Sequence, residues 1–133
     1  MIAAVADTHA AIWYLLDDIR LSGSARAMIA EATFARQKIA ISAISLVEIV
    51  YLVEKGRIVP SAYEDLVRAL EDREHVFVEA AVSTAVVDSM RRVSRTEVPD
   101  MPDRIVAATG ICLGLPVISR DRRIRGASLT TVW

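Results

Sequence analysis

A chain of 133 residues, 53% hydrophobic, with mean hydropathy +0.36 and net charge −1, is expected to form one domain with its own core. No apolar run approaches the roughly 20 residues that cross a bilayer. No basic segment with a signal-like core opens the chain, so a cytoplasmic protein is expected. The single cysteine, Cys112, lies in the apolar string ICLGL, which excludes a disulfide framework and a thiolate zinc site.

The apolar surplus is expected to be buried against another protein chain rather than lipid. The near-zero net charge gives the whole chain no field for nucleic acid. Charge is uneven, however: residues 1 to 19 hold no Lys or Arg, whereas RRVSR (91–95) and RDRRIR (120–125) are basic.

In chain order, IAAVA (2–6) reads as a short strand buried on both faces, and residues 8 to 16 and 24 to 36 follow the helical period. KIAIS (38–42) is the second strand. From Ser45 to Lys55, apolar Leu46, Ile49, Val50 and Val53 recur at helical spacing, with Gly56 as terminator. Pro60 opens a helix to about Glu71. HVFVEA (75–80) is the third strand, Ser83 to Val93 a helix, and Pro102 to Leu113 another, stopped by Gly114. LPVIS (115–119) is the fourth strand and the terminal TTVW a candidate fifth. Short buried strands separated by helices predict an α/β fold, a parallel sheet of four to five strands sandwiched between helices.

That fold gives the acidic residues a common destination. In open parallel sheets, ligands bind beyond the carboxyl ends of the strands, where strand order reverses. Asp7 follows strand one and Asp121 follows strand four. Glu48 is expected in the first turn after strand two, and Asp103 in the first turn of the helix before strand four. Each has a structural alternative. Ser45 to Glu48 matches a capping box, Asp100 fits an N-cap ahead of Pro102, and Asp121 fits the start of a turn. Asp7 is harder to dismiss, because an acid abutting a buried strand incurs desolvation unless it is paired or binds a cation.

A shared cation accounts for all four. Carboxylates are hard ligands suited to Mg²⁺ or Mn²⁺. Such ions activate water and stabilise the leaving oxygen in an in-line attack on a phosphodiester, and they reverse the site's sign toward a phosphate backbone. The basic tracts would then hold flanking phosphates. Other constellations are missing: no glycine-rich phosphate loop, no H-E-x-x-H around His9 or His75, and no G-x-S-x-G. An aspartyl-nucleophile phosphatase would carry a second Asp two residues after Asp7, where His9 stands. A phosphoacceptor receiver domain would need an acid pair after strand one and a lysine near the far edge. Lys38 and Lys55, both in the first half, are the only lysines.

VADTHAAIWYL, ISAISLVEIVYLVEKGRI and PDRIVAATGICLGLPVISRDRRIR, in this order and over nearly the whole chain, resemble a PIN domain. More narrowly, they resemble the toxin ribonucleases of VapC-type toxin–antitoxin pairs. The resemblance implies a PIN-like fold and a Mg²⁺- or Mn²⁺-dependent endoribonuclease toxin with Asp7, Glu48, Asp103 and Asp121 at its metal site. Thr8 and Ser119 match supporting hydroxyl positions. Asp100 falls where many relatives carry a further acid whose role varies, so it ranks second, and EVPDMP departs from the family wording at the register of Asp100, not at that of Asp103. Arg104, Arg120, Arg122 and Arg123 are candidate contacts to the RNA backbone. A cognate antitoxin and a homodimer are the implied partners. The competing reading is a non-catalytic PIN-like protein-binding module, in which the acids serve as caps. Trp13 and Leu16 are expected in core or dimer contacts rather than as a base-stacking platform.

Overall fold

Strand β1 (Ile2–Ala6) lies at the centre of a five-stranded, all-parallel sheet of order β3-β2-β1-β4-β5 in the computed structural model, which describes residues 1–125 and 129–133. The other strands are β2 (Lys38–Ser42), β3 (Phe77–Ala80), β4 (Val117–Ile118) and β5 (Thr131–Val132). The two-residue period of strands divides the core between the faces. Ala4, Ala6, Ile39, Ile41 and Ile118 pack on one side, under α1 (Thr8–Leu15), α2 (Gly23–Phe34) and α4 (Ser61–Glu71). Val5, Ala40 and Val117 pack on the other, under α5 (Thr84–Ser89) and α6 (Met101–Leu113). Helix α3 (Ala43–Glu54) buries Ile49 in the first of these cores. Full burial of side chains such as Ile39, Ile41 and Phe77 stabilises the sheet by about 1.5–3 kcal/mol each.

Helix α6 runs unusually close to the sheet. A Cβ on Gly110 would come within 2.6 Å of Val117 Cγ2 and 3.2 Å of the Leu115 carbonyl oxygen, so only glycine permits this approach. Its far end stops at Gly114, whose φ of +66° is left-handed, with the Leu115 amide donating to the Gly110 carbonyl.

Several element boundaries differ from the sequence expectation. Helix α3 begins at Ala43, because Ser42, not Ser45, is its N-cap. The third strand begins at Phe77 rather than His75, whose Nδ1 accepts from the Phe77 amide. The helix expected through Val93 changes to a 3₁₀ turn over Met90–Arg92. The tract expected as a turn after Asp121 forms a short helix, α7 (Arg122–Arg125), anchored by buried Ile124. No helix among the described residues is long and apolar enough to cross a membrane.

Candidate active site

Strand order places the site. The chain moves outward from β1 to β2 and β3, then returns to the other side of β1 with β4, so the reversal lies between β1 and β4. Asp7 leaves the carboxyl end of β1, and Ser119, Arg120 and Asp121 leave that of β4, on the two banks of this crevice. A cavity of about 430 Å³ opens there. Asp7, Glu48, Asp100, Asp103 and Asp121 all line it, with Thr8, His9, Trp13, Arg57 and Arg120 among their neighbours. The predicted acids therefore line one cavity, although their sequence positions span most of the chain.

Three of the five are caps as well. Asp7 Oδ1 accepts from the Ala10 amide at the start of α1, and Asp100 Oδ1 accepts from the Asp103 amide at the start of α6. Asp121 Oδ1 accepts from the amides of Arg123 and Ile124 at the start of α7. Capping and convergence are thus the same arrangement: helix N-termini, with their partial positive charge, are brought to one place and carry carboxylates there.

Glu48 arrives differently, which corrects the capping-box reading. Because α3 starts at Ala43, Glu48 lies in the second turn. Ser45 is fully buried, and its Oγ accepts a hydrogen bond from Thr8 Oγ1 at 2.9 Å. Residues three apart on a helix share a face, so the bond that ties Ser45 to the start of α1 also aims Glu48 at the cavity.

The electrostatics record crowding of like charge. Asp7 is only 8% exposed, and burial pushes its carboxyl above the ordinary range, against the lowering influence of the nearby Ser119 hydroxyl and of the hydrogen bond from the Ala10 amide. Asp103 is pushed up to about 8, first by burial and then by the charges of Asp100, Asp121, Glu48 and Asp7. Among the described residues no salt bridge reaches any of these five carboxylates. Nor, among those residues, are three or more His, Cys, Asp or Glu side chains grouped so that they could hold a metal ion as they stand. The set is a crowd of hard oxygen donors that repel one another, with no cation among the described residues paired to offset that repulsion.

The arginines sort unevenly. Arg120 lines the cavity, whereas Arg122 and Arg123 project from α7 as exposed side chains and do not. Arg104 is turned away: its Nη2 donates to the carbonyls of Met90 at 3.0 Å and Val93 at 3.2 Å, and its buried Nε has no partner. It fastens the start of α6, with Asp100 and Asp103, to the 3₁₀ turn. Arg57, not singled out in the sequence, does line the cavity. Its place follows from Gly56, which ends α3 at φ +68° and lets the Arg57 amide donate to the Leu52 carbonyl. Gly56 was legible as a terminator, but the direction of the chain beyond it was not.

Known proteins share this architecture and sequence pattern. Ribonuclease VapC22 of Mycobacterium tuberculosis is 29% identical over 136 residues, spanning all of both chains. In fold, the chain is similar to VapBC2 from Rickettsia felis, whose crystal structure is of the complex bound to a promoter DNA fragment. That match has a TM-score of 0.70 at 17% identity, over 98% of this chain and 97% of that one. It is also similar to a toxin–antitoxin complex from Klebsiella pneumoniae, with a TM-score of 0.62 at 21% identity over the same shares. The PIN domain family model matches residues 4–128, from the middle of β1 past every acid at the cavity. With that match, this chain belongs to the PIN domain family.

Proposed function

We propose that this protein is a Mg²⁺- or Mn²⁺-dependent endoribonuclease toxin, held in check by a cognate antitoxin protein. The observation that carries the reading is the meeting of Asp7, Glu48, Asp103 and Asp121, with Asp100 beside them, at the strand-order reversal of a PIN-domain sheet. The likeness to Ribonuclease VapC22 supports RNA as substrate, and the likeness to toxin–antitoxin complexes supports an antitoxin partner.

Asp7, Glu48, Asp103 and Asp121 would hold the ion, with Asp100 at the rim. The bound ion would supply a water acidified toward neutral pH and neutralise charge on the leaving oxygen. The chain's own residues set the stage for this. The Ala10 amide fixes the Asp7 carboxylate, with the Ser119 hydroxyl close by. The Thr8–Ser45 bond fixes the bearing of Glu48. Arg57 and Arg120 offer guanidinium groups to the RNA backbone at the cavity, which positions the strand without reading its bases. Exposed Arg122 and Arg123 lie further out along the same bank, where they can extend that contact.

Attack by water needs no ribose 2′-hydroxyl, so the products carry 5′-phosphate and 3′-hydroxyl ends. Incubating the protein with end-labelled RNA and Mg²⁺ or Mn²⁺ tests this. Wild type should generate such ends and Asp7→Asn should not, whereas 2′,3′-cyclic phosphates would rule the route out. A non-catalytic binding module draws on one observation, the absence of a metal-ready cluster among the described residues. It predicts equal growth arrest from wild type and Asp7→Asn. Exposed Val47, Val50 and Tyr51 on α3, and Ile19 and Phe34 elsewhere, supply apolar surface for an antitoxin or a second copy in a homodimer.

A further inference from the structure

Trp13 is 4% exposed and belongs to the hydrophobic core, yet it also lines the acidic cavity. Two guanidinium groups rest on its indole. Arg20 Cζ is 5.1 Å from the ring centroid, and Arg20 is held by Asp18 through Nε to Oδ1 at 3.0 Å and Nη2 to Oδ2 at 2.7 Å. Arg120 Cζ is nearer, at 4.6 Å. Among the described residues Arg120 has no carboxylate within ion-pair distance, although five line the cavity it faces and Asp121 is its neighbour in sequence. One cation on the ring is neutralised and the other is not.

A flexible, unneutralised guanidinium beside five acids would be drawn into an ion pair unless something held it off. An indole face is the strongest such holder among side chains, because its quadrupole attracts the cation without neutralising it. The ring is itself fixed, with Trp133 against it at 5.8 Å and His9 at 5.5 Å between centroids.

We propose that Trp13 is a positioning residue: its indole keeps Arg120 out of the carboxylate cluster and presents the guanidinium to an RNA phosphate at the cavity mouth. The inference rests on the nuclease reading above and deepens it. Two consequences follow from the same contact. The carboxylates stay available to a divalent cation, and Arg120 stays available to the substrate.

Steady-state cleavage of a labelled oligoribonucleotide across a salt series, paired with calorimetric Mn²⁺ titration, tests the proposal in variants checked for folding by thermal melt. Arg120→Met should raise KM several-fold, move kcat far less, and reduce the salt slope by about 0.7, the value for one single-strand phosphate contact. Trp13→Leu should reproduce that change with Arg120 intact, and adding Arg120→Met to it should cost nothing more. Trp13→Leu should also weaken Mn²⁺ binding several-fold as Arg120 falls among the acids, and the double variant should recover it. Trp13→Phe, which keeps an aromatic face, should lie between and serves if Trp13→Leu does not fold. An unchanged salt slope in Arg120→Met, or unaltered Mn²⁺ affinity and KM in a folded Trp13 variant, overturns the proposal while leaving the nuclease standing. A wild type that cleaves no RNA overturns both.

Discussion

The two ends of the sheet carry cavities of nearly the same size and opposite character. At the carboxyl end, about 430 Å³ is bounded by five carboxylates without an ion pair among the described residues, and Asp103 is pushed up to about 8. At the amino end, about 400 Å³ is bounded by Arg36, Lys38, Arg73 and Glu74, charges of both signs. There Lys38 donates its ammonium to the backbone carbonyls of Arg73 and His75, so its charge completes the fold locally. Cavity volume does not distinguish them; the crowding of like charge does. Five acids of like sign are crowded at one end, and at the other charges of both signs are mixed, which is how a site that needs an external partner differs from ordinary surface.

Exchanging the roles of these ends should fail in a graded way. Asp103→Asn should reduce RNA cleavage by more than about 100-fold, the upper range for losing even a supporting residue at a metal site, measured as initial rate in Mn²⁺. Lys38→Met, at the other end, should leave that rate unaltered. Gly110→Ala should lower stability by about 1–3 kcal/mol, because the new methyl meets Val117. Chemical denaturation gives that value, and because α6 carries Asp103 its cleavage rate should fall as well.

The pH dependence sharpens the comparison further. Asp103 has a folded pKa of about 8 against an ordinary 3.8, so between these values the folded protein binds more protons than the unfolded one. Its contribution to stability is therefore fully present below about pH 4 and is lost as pH rises through about 8. Melting temperature of the metal-free protein should decline over that window, and Asp103→Asn should flatten the decline. The smallest effect belongs to Lys38→Met, about 1 kcal/mol of stability from two carbonyls losing their shared donor, read by chemical denaturation.

The fold was legible because its signals are local. The short apolar runs in IAAVA and KIAIS, helical spacing before Gly56 and the glycine stop at Gly114 each act within one element, and all appear in the structure. Convergence of the acids was legible through topology: a parallel sheet with helical crossovers delivers strand ends to one edge. What escaped depends on side chains meeting across elements. Ser45 looked like a cap because S-x-x-E also spaces residues on one helix face; the helix start at Ser42 and the Thr8 contact separate the two readings. Arg104 looked like a substrate contact, but its partners are carbonyls 11 and 14 residues earlier in the chain. Arg57 gave no signal, since its place is set by the turn after Gly56 rather than by its neighbours' composition. Trp13 was expected in core or dimer contacts and belongs to the core, while it also lines the cavity.

The most direct test is calorimetric titration of the metal-free protein with Mn²⁺ at pH 7, repeated in two buffers of different ionisation enthalpy. A cation that draws the carboxylates together must displace the protons that burial and like charge hold there, that of Asp103 among them, so binding should be saturable, release protons, and vanish in Asp7→Asn. A wild type that shows no heat of binding, or that binds Mn²⁺ equally well without the Asp7 carboxylate, would contradict the assignment of this end of the sheet as the metal site.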